Sequence, residues 1–174
     1  MNENKVLFQG KGLTVTQREF ERAGKLTRWE VVERPPAAAC VVLNDKDEVL
    51  LVNQYRAPVD DLTKEIPAGQ VDPGETPDAA IIRELREETG IEVQQLRLLC
   101  KYFPGIGYSN EQLHIYTASA VGGDFRKASE RDKIQPEFVP FAQALTFIAN
   151  GKIRDGKSII GLLMMKDLGV KHLV

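Results

Sequence analysis

The 174-residue chain is expected to fold as an α/β domain built on a mixed β-sheet, preceded by a small antiparallel β unit. Three observations predict this. Strand-like apolar and alternating runs fill most of the first 55 residues, one sharply bracketed helix follows at 77–89, and further strand patterns then give way to two helical stretches.

Residues 5–34 form the small unit. Val6-Leu7-Phe8 and Leu13-Thr14-Val15-Thr16 have strand character, and residues 26–32 alternate apolar and polar at period two. Pro35-Pro36 forces extended backbone and marks a seam, dividing the chain into 1–36 and 37–174. Beyond it, residues 37–43 are a continuous apolar strand, Asn44-Asp45-Lys46-Asp47 a turn, and 48–55 the hairpin partner. Asp60-Asp61 reads as another turn, and residues 65–75, rich in Pro and Gly, as a loop. Thr76 as N-cap, Pro77 at the first helical position, Asp78 in the first turn and Gly90 as the stop bracket the helix. Strands at 93–103, 112–121 and 136–140, a charged loop at 122–133, and helices at 141–149 and 157–168 complete the order.

Composition excludes several classes of function. With 43% hydrophobic and 28% charged residues, the chain can bury a core and is neither disordered nor fibrous. Lys and Arg number 23 against 25 Asp and Glu, and the pI near 5.8 lacks the basic excess of a dedicated nucleic-acid binder. No nucleic-acid partner is expected. The longest apolar stretches, 37–43 and 158–165, are far shorter than the roughly 18 residues of a membrane span, and no signal core opens the chain. A cytoplasmic protein without a membrane partner is the expectation. Cys40 and Cys100 each lie in an apolar run and are expected as reduced core thiols rather than a disulfide.

The helix at 77–89 carries its acids against local preference. At about 100° per residue, Glu88 lies about 40° and Glu87 about 60° from Glu84, while Ile81, Ile82 and Leu85 gather on the adjoining face. Glu84 and Glu88 are like charges four apart, which costs about 0.2–0.5 kcal/mol, and the helix dipole disfavours Glu87 and Glu88 in the last turn by a similar amount. Arg83 can pair with Glu87, but no cation stands four residues from Glu84 or Glu88. A solvated amphipathic helix is one reading. The other is a hard divalent cation, since Mg²⁺ takes oxygen ligands and keeps waters for a phosphorylated substrate, and the Gly-rich loop just before the helix can bring backbone groups close to it.

The spacing Gly69, five residues, Glu75, seven residues, Arg83-Glu84-Leu85, one residue, Glu87-Glu88, one residue, Gly90-Ile91 fills nine specified positions across 23 residues. It resembles the Nudix box of the Nudix hydrolases. The resemblance implies an α/β/α sandwich around a mixed β-sheet and Mg²⁺-dependent hydrolysis of a nucleoside diphosphate linked to another moiety, with Mn²⁺ as a possible substitute. By position in the box, it implies Glu84 and Glu88 as principal metal ligands, Glu87 as an assisting one, Arg83 as the residue that orients a carboxylate, and Glu75 as a brace between loop and helix.

Four further segments are similar to the ADP-ribose pyrophosphatase and nucleoside diphosphate sugar branch of that family: Thr27-Arg28-Trp29-Glu30 with Arg34, Gln54-Tyr55-Arg56, Glu65-Ile66-Pro67-Ala68-Gly69, and Pro104-Gly105 leading to Ser109-Asn110-Glu111. This similarity implies the Ala68 carbonyl as a metal ligand, Trp29 stacked on the base, Arg34 and Arg56 on the diphosphate or ribose, and Gln70 and Glu111 at the substrate. Trp29 could equally be core and Arg56 a surface cation. An acidic loop before the last strand supplies the base in related enzymes, and the matching positions are Glu130 and Asp132, whose alternative is an ordinary solvated loop. His114 and His172 are not expected to act. The 104–110 stretch is about two residues longer than the common form of its motif. GDP-mannose, UDP-glucose and a non-catalytic ADP-ribose sensor therefore stay beside ADP-ribose as readings. The same branch implies a homodimer through the N-terminal unit, often with exchange between subunits.

Overall fold

Strand β4 (Ala37–Leu43) is buried along its whole length, as an unbroken apolar run requires of a strand covered on both faces. The structure, a computed structural model, describes residues 4–124 and 134–169. Around β4 lie β5 (Glu48–Arg56), β6 (Asp61–Glu65), β7 (Ala68–Gln70), β8 (Ile91–Tyr102), β9 (Leu113–Gly123) and β10 (Gln135–Pro140). The sheet runs β10-β5-β4-β9-β8, with β6 on β5 and β7 on β4. Among the described strands of this sheet only β4 and β9 pair in parallel, so the sheet is mixed, as expected.

Alternation along β4 sends its side chains into two cores. Ala39, Val41 and Leu43 pack with Ala144 of α2 (Phe141–Ala149) and with Leu162 and Met165 of α3 (Gly156–Leu168). Ala38, Cys40 and Val42 pack with Ala80, Ile81 and Leu85 of α1 (Pro77–Thr89). Helices on both faces complete the α/β/α sandwich. Cys40 and Cys100 are both free thiols, and burial pushes the Cys40 thiol well up from its ordinary value.

Asp61, expected in a turn, and residues 65 and 68–70, expected in a loop, lie in strands that span 61–65 and 68–70. The reason lies in β4 and β5, which pair only near their hairpin end at Leu43 and Val49 and then diverge. β6 extends β5, β7 extends β4, and the Cys40 N–H donates to the Pro67 carbonyl (3.0 Å) between them. Such pairing is supplied by other strands, so local Pro and Gly content cannot reveal it.

β1 (Lys5–Gln9), β2 (Thr14–Arg22) and β3 (Lys25–Glu33) form the separate antiparallel sheet. β2 continues past Thr16 through a charged stretch that pairs with β3 residue for residue, supported by Arg18–Glu33 and Arg28–Glu19 ion pairs (2.8 and 2.6 Å). The seam at Pro35-Pro36 is bridged. The Val32 N–H donates to the Tyr108 carbonyl (2.8 Å), and the Val32 carbonyl accepts from Ser109 Oγ (2.9 Å).

Candidate active site

One arginine fastens α1 to the loop before it. Arg83 donates through Nε and Nη2 to the two oxygens of Glu75 (3.0 and 2.9 Å), through Nη2 to the Gln70 carbonyl (3.1 Å), and through Nη1 to Glu84 (2.8 Å). The Asp72 N–H donates to Glu75 from the loop side (3.2 Å), so Glu75 ties loop to helix. Its fork on Arg83 holds the Glu75 carboxyl below the usual carboxylate range. Glu87, the i+4 partner, is 3.5 Å away and mostly exposed. Relief for Glu84 thus comes from its own neighbour rather than from one turn away. Thr76 occupies the N-cap position with extended backbone but makes no capping hydrogen bond, and Pro77 occupies the first turn as expected.

Glu84 and Glu88 meet β7 directly. Gly69 lies so near Glu84 that any side chain there would overlap the carboxyl, and Glu88 accepts from the Ala68 N–H (3.3 Å). Burial raises the Glu84 carboxyl above its ordinary value, and burial together with the Glu84 charge pushes Glu88 up to about 8. Among the described residues, no three Asp, Glu, His or Cys side chains converge closely enough to hold an ion by themselves. Glu84 is drawn to Arg83 and Glu87 stands to the flank. The donor set nevertheless fits a hard divalent cation: two crowded, mostly buried carboxylates, both raised by burial and Glu88 further by the charge of Glu84, beside a strand whose backbone carbonyls can complete the shell.

β7 also borders a cleft of about 620 Å³, lined by Arg34, Arg56, Ala68, Gly69, Gln70, Tyr102, Glu111, Asp155 and Lys157 among others. Of the substrate contacts expected from sequence, Arg34, Arg56, Gln70 and Glu111 meet here. The Arg34 N–H is anchored on Asn110 Oδ1 (3.0 Å), and its side chain is 3.5 Å from Glu111. Trp29 is not in this cleft. It stands 43% exposed on β3, edge-on to Phe20 (5.9 Å between centroids), beside residues 106–110. His114 contacts Gln112 (3.1 Å), and burial lowers its pKa. Glu130, Asp132 and His172 lie outside the described residues.

Sequence reasoning missed the buried carboxylate that holds two of the cleft's cations, Arg56 and Lys157. Glu65, 2% exposed, accepts from Arg56 Nε and Nη2 (2.8 and 2.7 Å), Thr63 Oγ1 (2.5 Å) and Lys157 Nζ. Burial alone would raise Glu65, but the hydrogen bonds and charge of Arg56 and Lys157, with Thr63, hold it down to about 2. Arg56 is therefore neither a free surface cation nor free to swing. Its guanidinium faces the cleft with its orientation set by Glu65. The available signal was Asp155 in Asp-Gly-Lys-Ser at the start of α3, an N-cap residue whose side chain accepts from the Ser158 N–H.

A mixed sheet between helices, with a glycine-led strand packed on an arginine-bound acidic helix end, defines a class, and residues 33–159 match the NUDIX domain: the chain belongs to that family. Among its relatives, the methanol dehydrogenase activator of Bacillus methanolicus is 31% identical over 95% of this chain and 92% of its own. The ADP-ribose pyrophosphatase of Bacillus subtilis (strain 168) is 28% identical over 92% of this chain and 90% of its own, and the GDP-mannose pyrophosphatase of Klebsiella pneumoniae subsp. pneumoniae is 33% identical over 81% and 76%. A crystal structure of an ADP compounds hydrolase shares the fold, with a TM-score of 0.82 at 20% identity over 99% of this chain and 95% of that one. Among the described residues, no helix is long and apolar enough to cross a membrane.

Proposed function

We propose that this chain is a Mg²⁺-dependent pyrophosphatase that hydrolyses ADP-ribose to AMP and ribose 5-phosphate. The observation that carries the reading is that β7 is shared: on one side it borders a cleft with Arg34, Arg56 and Lys157, and it also contacts Glu84 and Glu88. A diphosphate held by those cations would lie beside an acidic metal site. Glu84, Glu88 and the Ala68 carbonyl would hold the ion, with Glu87 assisting. Bound there, Mg²⁺ or Mn²⁺ would offset charge on the diphosphate and acidify a water.

The chain's own groups orient the rest. Arg83 keeps Glu84 aimed at β7 while Glu75 keeps Arg83 in place. Arg34 and Arg56 contact the diphosphate or ribose, and Gln70 and Glu111 line the path of the substrate. Glu130 and Asp132 are the proposed sources of the base. Trp29, absent from its own cleft, stacks on the base bound by a two-fold partner, which makes the N-terminal unit (1–36) the dimerising part and 37–174 the catalytic one. Likeness to ADP-ribose pyrophosphatases of Bacillus subtilis and Mycobacterium tuberculosis supports the substrate. The GDP-mannose pyrophosphatase at 33% identity favours GDP-mannose as the second reading. Phosphate-coupled assays on ADP-ribose, GDP-mannose and UDP-glucose with Mg²⁺ test the choice, and no release from ADP-ribose overturns it.

A further inference from the structure

Four consecutive residues leading into β7 are each held by a hydrogen bond to another element. The Glu65 carboxylate is gripped by Arg56 and by Lys157 of α3. The Ile66 N–H donates to Ser158 Oγ of α3 at 2.8 Å, with both residues wholly buried. Pro67 accepts from the Cys40 N–H, and the Ala68 N–H donates to Glu88.

Two of those four anchors come from the first turn of α3, and that turn is itself locked. Asp155 Oδ2 accepts from the Ser158 N–H (3.0 Å), from Ser158 Oγ (2.5 Å) and from Lys157 Nζ (2.9 Å). The Ser158 proton is thereby committed to Asp155, which leaves a hydroxyl lone pair for Ile66. The helix is also seated closely: a Cβ on Gly161 would lie 2.8 Å from Val41 Cγ2, 3.3 Å from Ile115 Cγ2 and 3.4 Å from Ile66 Cδ1. The fixed φ of Pro67 makes the link from Ile66 to Ala68 stiff. A displacement of Ile66 must therefore move the Ala68 backbone.

We propose that Ser158 and Lys157 are positioning residues, through which the first turn of α3 sets the Ala68 carbonyl relative to Glu84 and Glu88 from the opposite face of the sheet. This rests on the metal reading above, in which Ala68 and the two glutamates share an ion. Neither residue touches that ion. Groups that orient ligands without binding metal commonly change metal affinity about 10- to 100-fold when removed.

The test is calorimetric titration of the full chain with Mn²⁺, alongside thermal unfolding and amide exchange at Ile66. Ser158→Ala is expected to unfold cooperatively, exchange Ile66 faster, and bind Mn²⁺ about tenfold more weakly, and Ser158→Thr, which keeps the hydroxyl, to recover most of that affinity. A folded Ser158→Ala with wild-type Mn²⁺ affinity overturns the proposal, because a purely structural serine would change only the stability and the exchange. Should Ser158→Ala fail to fold, Lys157→Gln reads the same quantity: weakened Mn²⁺ binding supports the proposal and unchanged binding overturns it. A wild-type chain that takes up no Mn²⁺ overturns the metal reading itself, a result distinct from equal binding by wild type and variant.

Discussion

The carboxyl of Glu84 rests on the bare Cα of Gly69: a Cβ at that residue would lie 2.0 Å from Glu84 Cδ and 2.1 Å from Oε1. Gly69 is required for close approach, since its backbone is not in the left-handed region. Gly69→Ala is therefore expected to fold, with a thermal midpoint close to wild type, while displacing Glu84 by about an ångström or more. Misplacement on that scale costs on the order of 10²-fold in turnover. Steady-state kinetics beside thermal unfolding checks it, and a kcat near wild type would show that Glu84 need not lie where it does.

Arg83 makes five hydrogen bonds in the fork geometry that only a guanidinium offers: two to Glu75 and one each to Glu84, Glu87 and the Gln70 carbonyl. Lysine keeps the charge and loses the fork. Arg83→Lys is expected to lower kcat about 10- to 100-fold and to raise the Mg²⁺ concentration needed for half-maximal rate. Mg²⁺ titrations of activity measure both. An unchanged metal dependence would detach Arg83 from the orientation of Glu84.

Much of this site was legible in sequence because its signals are local. Thr76-Pro77 and Gly90 bracket α1, and the spacing from Gly69 to Ile91 places Glu75, Arg83, Glu84 and Glu88 relative to one another on a single loop and helix. What was not legible depends on distant partners. β6 and β7 exist because β4 and β5 diverge, and Lys157 belongs to the site only because α3 crosses β4 closely at Gly161. Arg56 reads from sequence as a cation at a strand end, yet its meaning comes from Glu65, nine residues later on a strand that no local pattern announces. Trp29 was legible as a residue but not as a place, since its own cleft does not contain it.

Glu88 is a buried carboxylate raised by burial and by Glu84, so its charge opposes folding wherever no cation compensates it. Glu88→Gln keeps an oxygen able to accept from the Ala68 N–H and removes that charge. Turnover should vanish, while the thermal midpoint measured in a chelator stays level or rises. A variant that fails to fold would make Glu88 a structural residue.

Glu65 predicts the behaviour in acid. Its folded pKa, about 2, lies below that of the unfolded chain, so the unfolded state takes up the proton first. Its contribution is complete above about pH 5, declines as the pH falls through 4 and 3, and is gone near 2, with a slope of at most about 1.4 kcal/mol per pH unit. Glu33, Glu75 and Glu137 are depressed as well and add in the same direction. The difference between wild type and Glu65→Gln isolates the one group. Urea midpoints from pH 6 to pH 3 should fall less steeply for the variant, which is less stable at neutral pH because Arg56 and Lys157 lose their partner. Parallel profiles would rule Glu65 out as the source.

The N-terminal sheet carries the final prediction. Phe20 and Trp29 touch on one face, while Phe8, opposite Val15, and Leu26, opposite Glu21, fall on the other by the parity of β2. Phe8 is 58% and Leu26 60% exposed, more apolar surface than an isolated three-stranded sheet keeps without a partner. A two-fold dimer formed through this sheet would cover that surface and carry Trp29 toward the partner's cleft. Sedimentation velocity is expected to give a dimer, and Leu26→Glu, on the covered face and away from Trp29, a monomer with a raised KM for ADP-ribose. Trp29→Ala should remain dimeric yet raise KM about 5- to 150-fold, the equivalent of about 1–3 kcal/mol of base stacking. Because the two variants separate assembly from stacking, a wild-type monomer removes both roles, whereas a dimer whose KM ignores Trp29 removes only the second.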